Sequence, residues 1–169
     1  LAVLDAVDAG TTFDTRVVEV ATGRLVLVGG GDPYLTAKPD TTYPRAQSAT
    51  RLAALTAAAL KASGTTKVTL GYDDTLFTGA DWHPTWEARY FGNVVPIHAL
   101  SLDGGRAGDG KLSRTPHVAA ATTFAALLTA QGITVTGKPA ASRAPAEATE
   151  LARVSSLPVE ILVQEALIP

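Results

Sequence analysis

Two runs near the start of the chain, 15–20 and 24–28, are rich in Val, Leu and Thr and are separated by Ala21-Thr22-Gly23. That pattern predicts a β-hairpin, because Gly tolerates the positive φ that a tight turn demands. Farther on the period changes. Leu52, Leu55, Ala59 and Leu60 recur at helical spacing over 46–62, and Ser63-Gly64 supplies a stop. Lys67-Val68-Thr69-Leu70 then reads as a strand. The same order returns later. Pro116 opens a helix carrying Phe124, Leu127 and Leu128, Gln131-Gly132 ends it, and Ile133-Thr134-Val135-Thr136 follows as a strand. The candidate core is Leu52, Leu55, Leu60, Phe124, Leu127 and Leu128. Two helix–glycine–strand units predict an α+β fold, a sheet with helices packed on it.

Residues 94–102 alternate loosely and read as a further sheet strand, and 150–154 as a short one. The polar, proline-bearing stretches 34–43 and 137–148 read as loops. At the front, Leu1, Leu4 and Val7 share a helical face and Gly10 can stop that helix, yet nothing ahead of Leu1 can cap it. At the back, Ser155 or Ser156 can cap a last helix with Pro158 in its first turn, carrying Ile161, Leu162 and Leu167. Both terminal helices read as pieces of a longer structure.

Composition narrows the function classes. Hydrophobic residues make up 46% and charged ones 18%, which excludes disorder as the default state. No apolar run approaches the roughly 20 residues of a membrane span, and the first residues carry no signal-peptide pattern. A net charge of −2 with scattered basic residues argues against nucleic-acid binding. With no cysteine, disulfides, thiolate catalysis and cysteine-bound zinc are all excluded.

The candidate chemistry is sparse. Gly29-Gly30-Gly31-Asp32-Pro33 follows a strand but has neither P-loop nor dinucleotide-fold spacing, so it reads as a structural turn. His83, His98 and His117 lie 15 and 19 residues apart. That spacing names no metal site, and each reads as a packed or surface histidine. Asp73-Asp74 reads as a turn cap, since neighbours on a strand point opposite ways. Both tryptophans fall in 81–91, where Asp81, Trp82, His83, Trp86, Glu87, Arg89, Tyr90 and Phe91 crowd together. Two readings stand for it: a ligand-contacting surface, or a loop whose aromatics plug the core.

Four blocks in order carry a resemblance. They are Leu25-Val26-Leu27-Val28-Gly29-Gly30-Gly31-Asp32-Pro33, Asp73-Asp74-Thr75-Leu76-Phe77-Thr78-Gly79, Trp82-His83-Pro84-Thr85-Trp86 and Ala99-Leu100-Ser101-Leu102-Asp103-Gly104-Gly105. Together they resemble the D-alanyl-D-alanine carboxypeptidase/endopeptidase family, the class C, DacB-like low-molecular-mass penicillin-binding proteins. That family consists of serine hydrolases using Ser-x-x-Lys, Ser-x-Asn and Lys-Thr-Gly. None of the seven serines has Lys three residues on, Asn93 follows Phe91 at two, and no Lys precedes Thr-Gly. No catalytic residue is therefore assigned.

The resemblance implies the insert domain of a penicillin-binding protein plus two stub helices of the transpeptidase-like domain. The divisions are 1–12 as stub, 13–154 as insert and 155–169 as stub helix. It further implies an extracytoplasmic parent enzyme in cell-wall remodelling, with no cofactor and no metal. The partners are the peptidoglycan stem peptide and the rest of the transpeptidase-like domain, with no nucleic acid and no membrane span. Trp86 and Tyr90 become the apolar walls of a substrate contact, Glu87 its acid and Asp81 the alternative acid, facing a stem-peptide ammonium group. A non-catalytic domain that binds cell-wall peptide or a partner protein is the alternative.

Overall fold

A computed structural model describes residues 7–39 and 47–167. The hairpin forms from β1 (Asp14–Ala21) and β2 (Arg24–Val28), paired antiparallel. Helix α1 (Ala49–Ala62) then crosses to β3 (Lys67–Asp73), which lies parallel to β2. Helix α2 (Pro116–Ala130) leads to the short β4 (Thr134–Val135), parallel to β3. The repeated unit in the sequence is thus a repeated crossover. Each helix ends on a glycine with positive φ, Gly64 at 74° and Gly132 at 84°, a conformation that glycine adopts at little cost.

Two further strands complete a mixed six-stranded sheet in the order β4-β3-β2-β1-β6, with β5 also on β3. The first, β5 (Ala140–Ala141), sits inside the stretch expected to be loop. The other, β6 (Thr149–Ser155), pairs antiparallel with β1. Helix α3 (Val159–Leu167) follows. Helices α1 and α2 pack on each other, α1 against β6 and β1, α2 against β3 and β4. Leu25, Leu27, Leu52, Leu60, Phe124, Leu128 and Ile133 fill the space between helices and sheet.

Four expectations need correction. Helix α1 begins at Ala49 and not at 46, because the Ser48 hydroxyl accepts the Arg51 N–H (3.3 Å) as its cap. Leu55 is 43% exposed: Leu52, Ala53, Thr56, Ala57 and Leu60 make the buried stripe, and Leu55 falls beside it. Residues 94–102 form no strand. Pro96 has no N–H to give, and the Ile97 and Leu100 N–H groups go to the Asp81 carbonyl and the Asp74 carboxylate rather than to a ladder. Ser156 does not cap the last helix through its hydroxyl, which accepts the Phe13 N–H (2.9 Å) and donates to the Leu157 carbonyl (2.7 Å). The opening helix expected over 1–9 lies for the most part outside the described residues.

Leu52 is fully buried, so Leu52→Ala should cost about 2–5 kcal/mol in urea denaturation. Leu55→Ala, one helical turn on, should cost less than about 1 kcal/mol. Equal losses would refute the observed packing of α1.

Candidate functional site

Strand β3 runs out into two consecutive carboxylates. Buried Asp73 accepts the Ala144 N–H (2.7 Å) on one oxygen and the Thr75 N–H (3.0 Å) and hydroxyl (2.7 Å) on the other. Burial pushes its pKa up, but these hydrogen bonds and the Arg143 charge outweigh burial and hold it below the ordinary carboxylate value. Asp74 turns elsewhere. Its Oδ1 accepts the Leu100 N–H (2.7 Å) and its Oδ2 hydrogen-bonds His98 Nδ1. The turn-cap reading holds for Asp73, whereas Asp74 reaches 26 residues along the chain to secure a separate segment.

That segment crosses the end of β2 at the glycine run. Gly29 N–H donates to the Asp73 carbonyl (2.9 Å) and Gly31 N–H to the Ala99 carbonyl (2.8 Å). A Cβ at Gly29 would lie 2.6 Å from Leu100 N, and one at Gly30 2.2 Å from the Asp14 carbonyl oxygen. Backbone meets backbone here, which is why the run is glycine. Asp32, at its end, accepts the Tyr34 N–H (2.9 Å) and is itself buried, which raises its pKa.

His117 stands in the first turn of α2, beside His98. The two rings are 4.0 Å apart between centroids, and His117 Nδ1 lies 4.0 Å from Asp74 Oδ2. Burial, then the neighbouring His98, hold the His117 pKa below its ordinary value, with Asp74 and Asp81 only partly opposing. Buried His98 Nε2 and His117 Nδ1 have no hydrogen-bond partner, although Asp81 Oδ2 is 3.5 Å from the former. Among the described residues, Asp74, His98 and His117 are the one group of three whose donor atoms could hold a metal ion. Sequence spacing missed this group because its members come from three elements. One signal was available: a helix that returns to a parallel strand starts near the strands' carboxyl ends, which puts His117 near Asp74.

Asp74, Asp81 and His98 also line an open pocket of about 730 Å³, walled by Leu76, Phe77, Gly79 and Ile97. Of the residues expected to contact ligand, Asp81 is in this pocket. Trp86, Glu87 and Tyr90 are not among its walls and lie on the exposed segment beyond. There Trp82 stacks on Phe91 (3.9 Å between centroids), meets Trp86 edge-on, and donates its indole N–H to the Trp86 carbonyl (3.0 Å). Arg114 covers the Phe91 ring at 4.2 Å. These aromatics make a surface cluster and do not plug the core. Glu87 is bonded to Arg89 (2.9 Å), with both side chains exposed.

The sequence profile of a family described as D-Ala-D-Ala carboxypeptidase 3 (S13) matches residues 1–110. Carboxypeptidase Rv3627c of Mycobacterium tuberculosis is 34% identical over 170 residues, covering 94% of this chain and 35% of that protein. Carboxypeptidase DacB of Mycolicibacterium smegmatis is 30% identical over 158 residues, covering 90% and 34%. The chain therefore spans about a third of the length of these curated relatives. A crystal structure of penicillin binding protein 4 from Haemophilus influenzae superposes with a TM-score of 0.68 at 15% identity. The match covers 94% of this chain and 49% of that one. At that identity the likeness concerns the fold.

Asp73→Ala should destabilise the chain by about 2–3 kcal/mol at neutral pH, the scale of hydrogen bonds to a charged acceptor. The Asp73 pKa is lowered in the folded state, so this contribution is complete above the unfolded value near 3.8 and is lost as pH falls through the folded value. Urea denaturation of both proteins at pH 7 and pH 3 checks it. The gap should narrow at pH 3, and a gap that widens there would refute the assignment.

Proposed function

This chain belongs to the D-Ala-D-Ala carboxypeptidase 3 (S13) family, and on that premise we propose that it is the non-catalytic insert of a serine-type, penicillin-binding peptidoglycan hydrolase. Residues 13–154 are the insert, with 1–12 and 155–169 belonging to the neighbouring transpeptidase-like domain. Supporting this is the way the two ends of the sheet leave it together. Val159 N–H donates to the Thr11 carbonyl (2.9 Å), Glu160 N–H to the Ala9 carbonyl (3.1 Å), and Ser156 N–H to the Phe13 carbonyl (2.9 Å). A domain whose ends meet can be carried within a host fold without straining it.

In the parent, a serine outside this chain attacks the carbonyl of the terminal D-Ala-D-Ala bond. D-Ala leaves as the amine, and water then hydrolyses the acyl-enzyme. The chain itself offers no Ser-x-x-Lys, Ser-x-Asn or Lys-Thr-Gly. Its part is to wall the cleft and read the stem peptide outside the plasma membrane. No helix of the described residues is long and apolar enough to cross a membrane. Asp81, facing the pocket with Leu76, Phe77 and Ile97, is the acid placed for an ammonium-bearing side chain, and Trp86 and Tyr90, exposed outside that pocket, offer apolar contact for the rest of the peptide. Glu87 is the weaker candidate of the two, since Arg89 already neutralises it.

Incubation with a β-lactam and intact-mass spectrometry should show this chain unmodified. An adduct on any of the seven serines would overturn the proposal that it is non-catalytic. In the full-length enzyme, Asp81→Asn should raise KM for peptides with a free side-chain amine about tenfold more than for N-acylated ones. Glu87→Gln should do so more weakly. Equal losses for both substrates would assign the segment a structural role.

A further inference from the structure

We propose that Asp74, His98 and His117 bind a single divalent transition-metal ion, with zinc the best match to the donors. The three come from separate segments: the residue after β3, the crossing at 94–102, and the first turn of α2. Their donor atoms all lie within 4.8 Å of one another, and their side chains keep only 15, 13 and 18% of their surface exposed. Two imidazoles and one carboxylate suit zinc, whose fourth position takes water. Calcium and magnesium prefer all-oxygen sites.

The set is held in place without an ion. Asp74 Oδ1 is fixed by the Leu100 N–H, which leaves Oδ2 turned toward both rings. His117 is carried on a helix whose first turn is closed by proline. A plain Asp–His hydrogen bond accounts for His98 Nδ1 and leaves His117 Nδ1 buried and unpartnered, which an ordinary core avoids. Ligand atoms on a tetrahedral zinc are about 3.3 Å apart, as follows from zinc–nitrogen bonds of about 2.0 Å. His117 Nδ1, at 4.0 Å from Asp74 Oδ2, reaches that separation by moving less than an ångström, and His98 Nδ1, hydrogen-bonded to the same oxygen, draws back from it as the ion replaces the shared proton. With Nδ1 of His98 on the ion, its far nitrogen faces Asp81 Oδ2 at 3.5 Å, the carboxylate–histidine–metal order that orients a ligating ring. The ion would tie three segments that share no sheet hydrogen bond.

The full 169-residue chain, stripped with EDTA and dialysed, should take up one equivalent of zinc chloride by calorimetry, and its Tm should rise. Asp74→Asn and His117→Gln should each weaken uptake about 30-fold or more. His83→Gln, an exposed histidine away from the group, should leave uptake unchanged. No uptake, or uptake that neither variant alters, would overturn the proposal. If a variant fails to fold by circular dichroism, cobalt(II) in the unaltered chain decides. Intense visible bands of a four-coordinate site support it, and weak octahedral absorption overturns it. The readout is metal uptake, so it stands or falls independently of whether the parent cleaves D-Ala-D-Ala.

Discussion

Two adjacent carboxylates at the end of β3 hold segments that the sheet's own ladder does not reach. Because side chains alternate along an extended chain, Asp73 and Asp74 reach in different directions from a single backbone position. Asp73 gathers the loop at Ala144, and Asp74 gathers the crossing at Leu100. The crossing in turn must sit flush against Gly29, where any side chain would collide with Leu100. Move Asp74 and the crossing loses the carboxylate that holds both the Leu100 N–H and His98, and with His98 a wall of the pocket. Asp74 and the run of glycines therefore fix where the crossing lies, and with it the His98 side of the pocket.

How much of this was legible in the sequence depended on whether the governing interaction was local. Both crossovers announced themselves through a helical stripe, a glycine stop and a β-branched run, all within one window. Leu55 was misplaced because four apolar positions on a helix admit more than one stripe, and only the arrival of β6 and α2 selects the one centred on Leu52 and Leu60. The stretch 94–102 has the alternation of a strand, yet its N–H groups were claimed by an aspartate side chain and a distant carbonyl. No window along the chain contains those partners. The same holds for the two histidines and Asp74, whose proximity is a property of the parallel topology.

The aromatic segment shows a different limit. Its composition left open a ligand-contacting surface or a loop plugging the core, and the structure places the rings in a cluster outside the core. Composition could not say which acid would be neutralised. Glu87 has an arginine two residues on and uses it, while Asp81 stays at the pocket with an imidazole for company. Charge in a sequence becomes charge at a site only after such pairings are known.

The first strand waits for the last. Phe13, at the threshold of β1, bonds Ser156 across a separation of 143 residues, and β1 has β6 as its partner on that side. As the chain leaves the ribosome, the hairpin of β1 and β2 can form at once, but one edge of β1 stays unpaired until nearly the whole domain has been made. Long-range pairing of this kind raises contact order and slows folding. During that interval the bare edge of β1 is a place where another nascent chain could add a strand. Arg16 and Glu19 along it are charged. Charged residues on an unpaired edge discourage such additions.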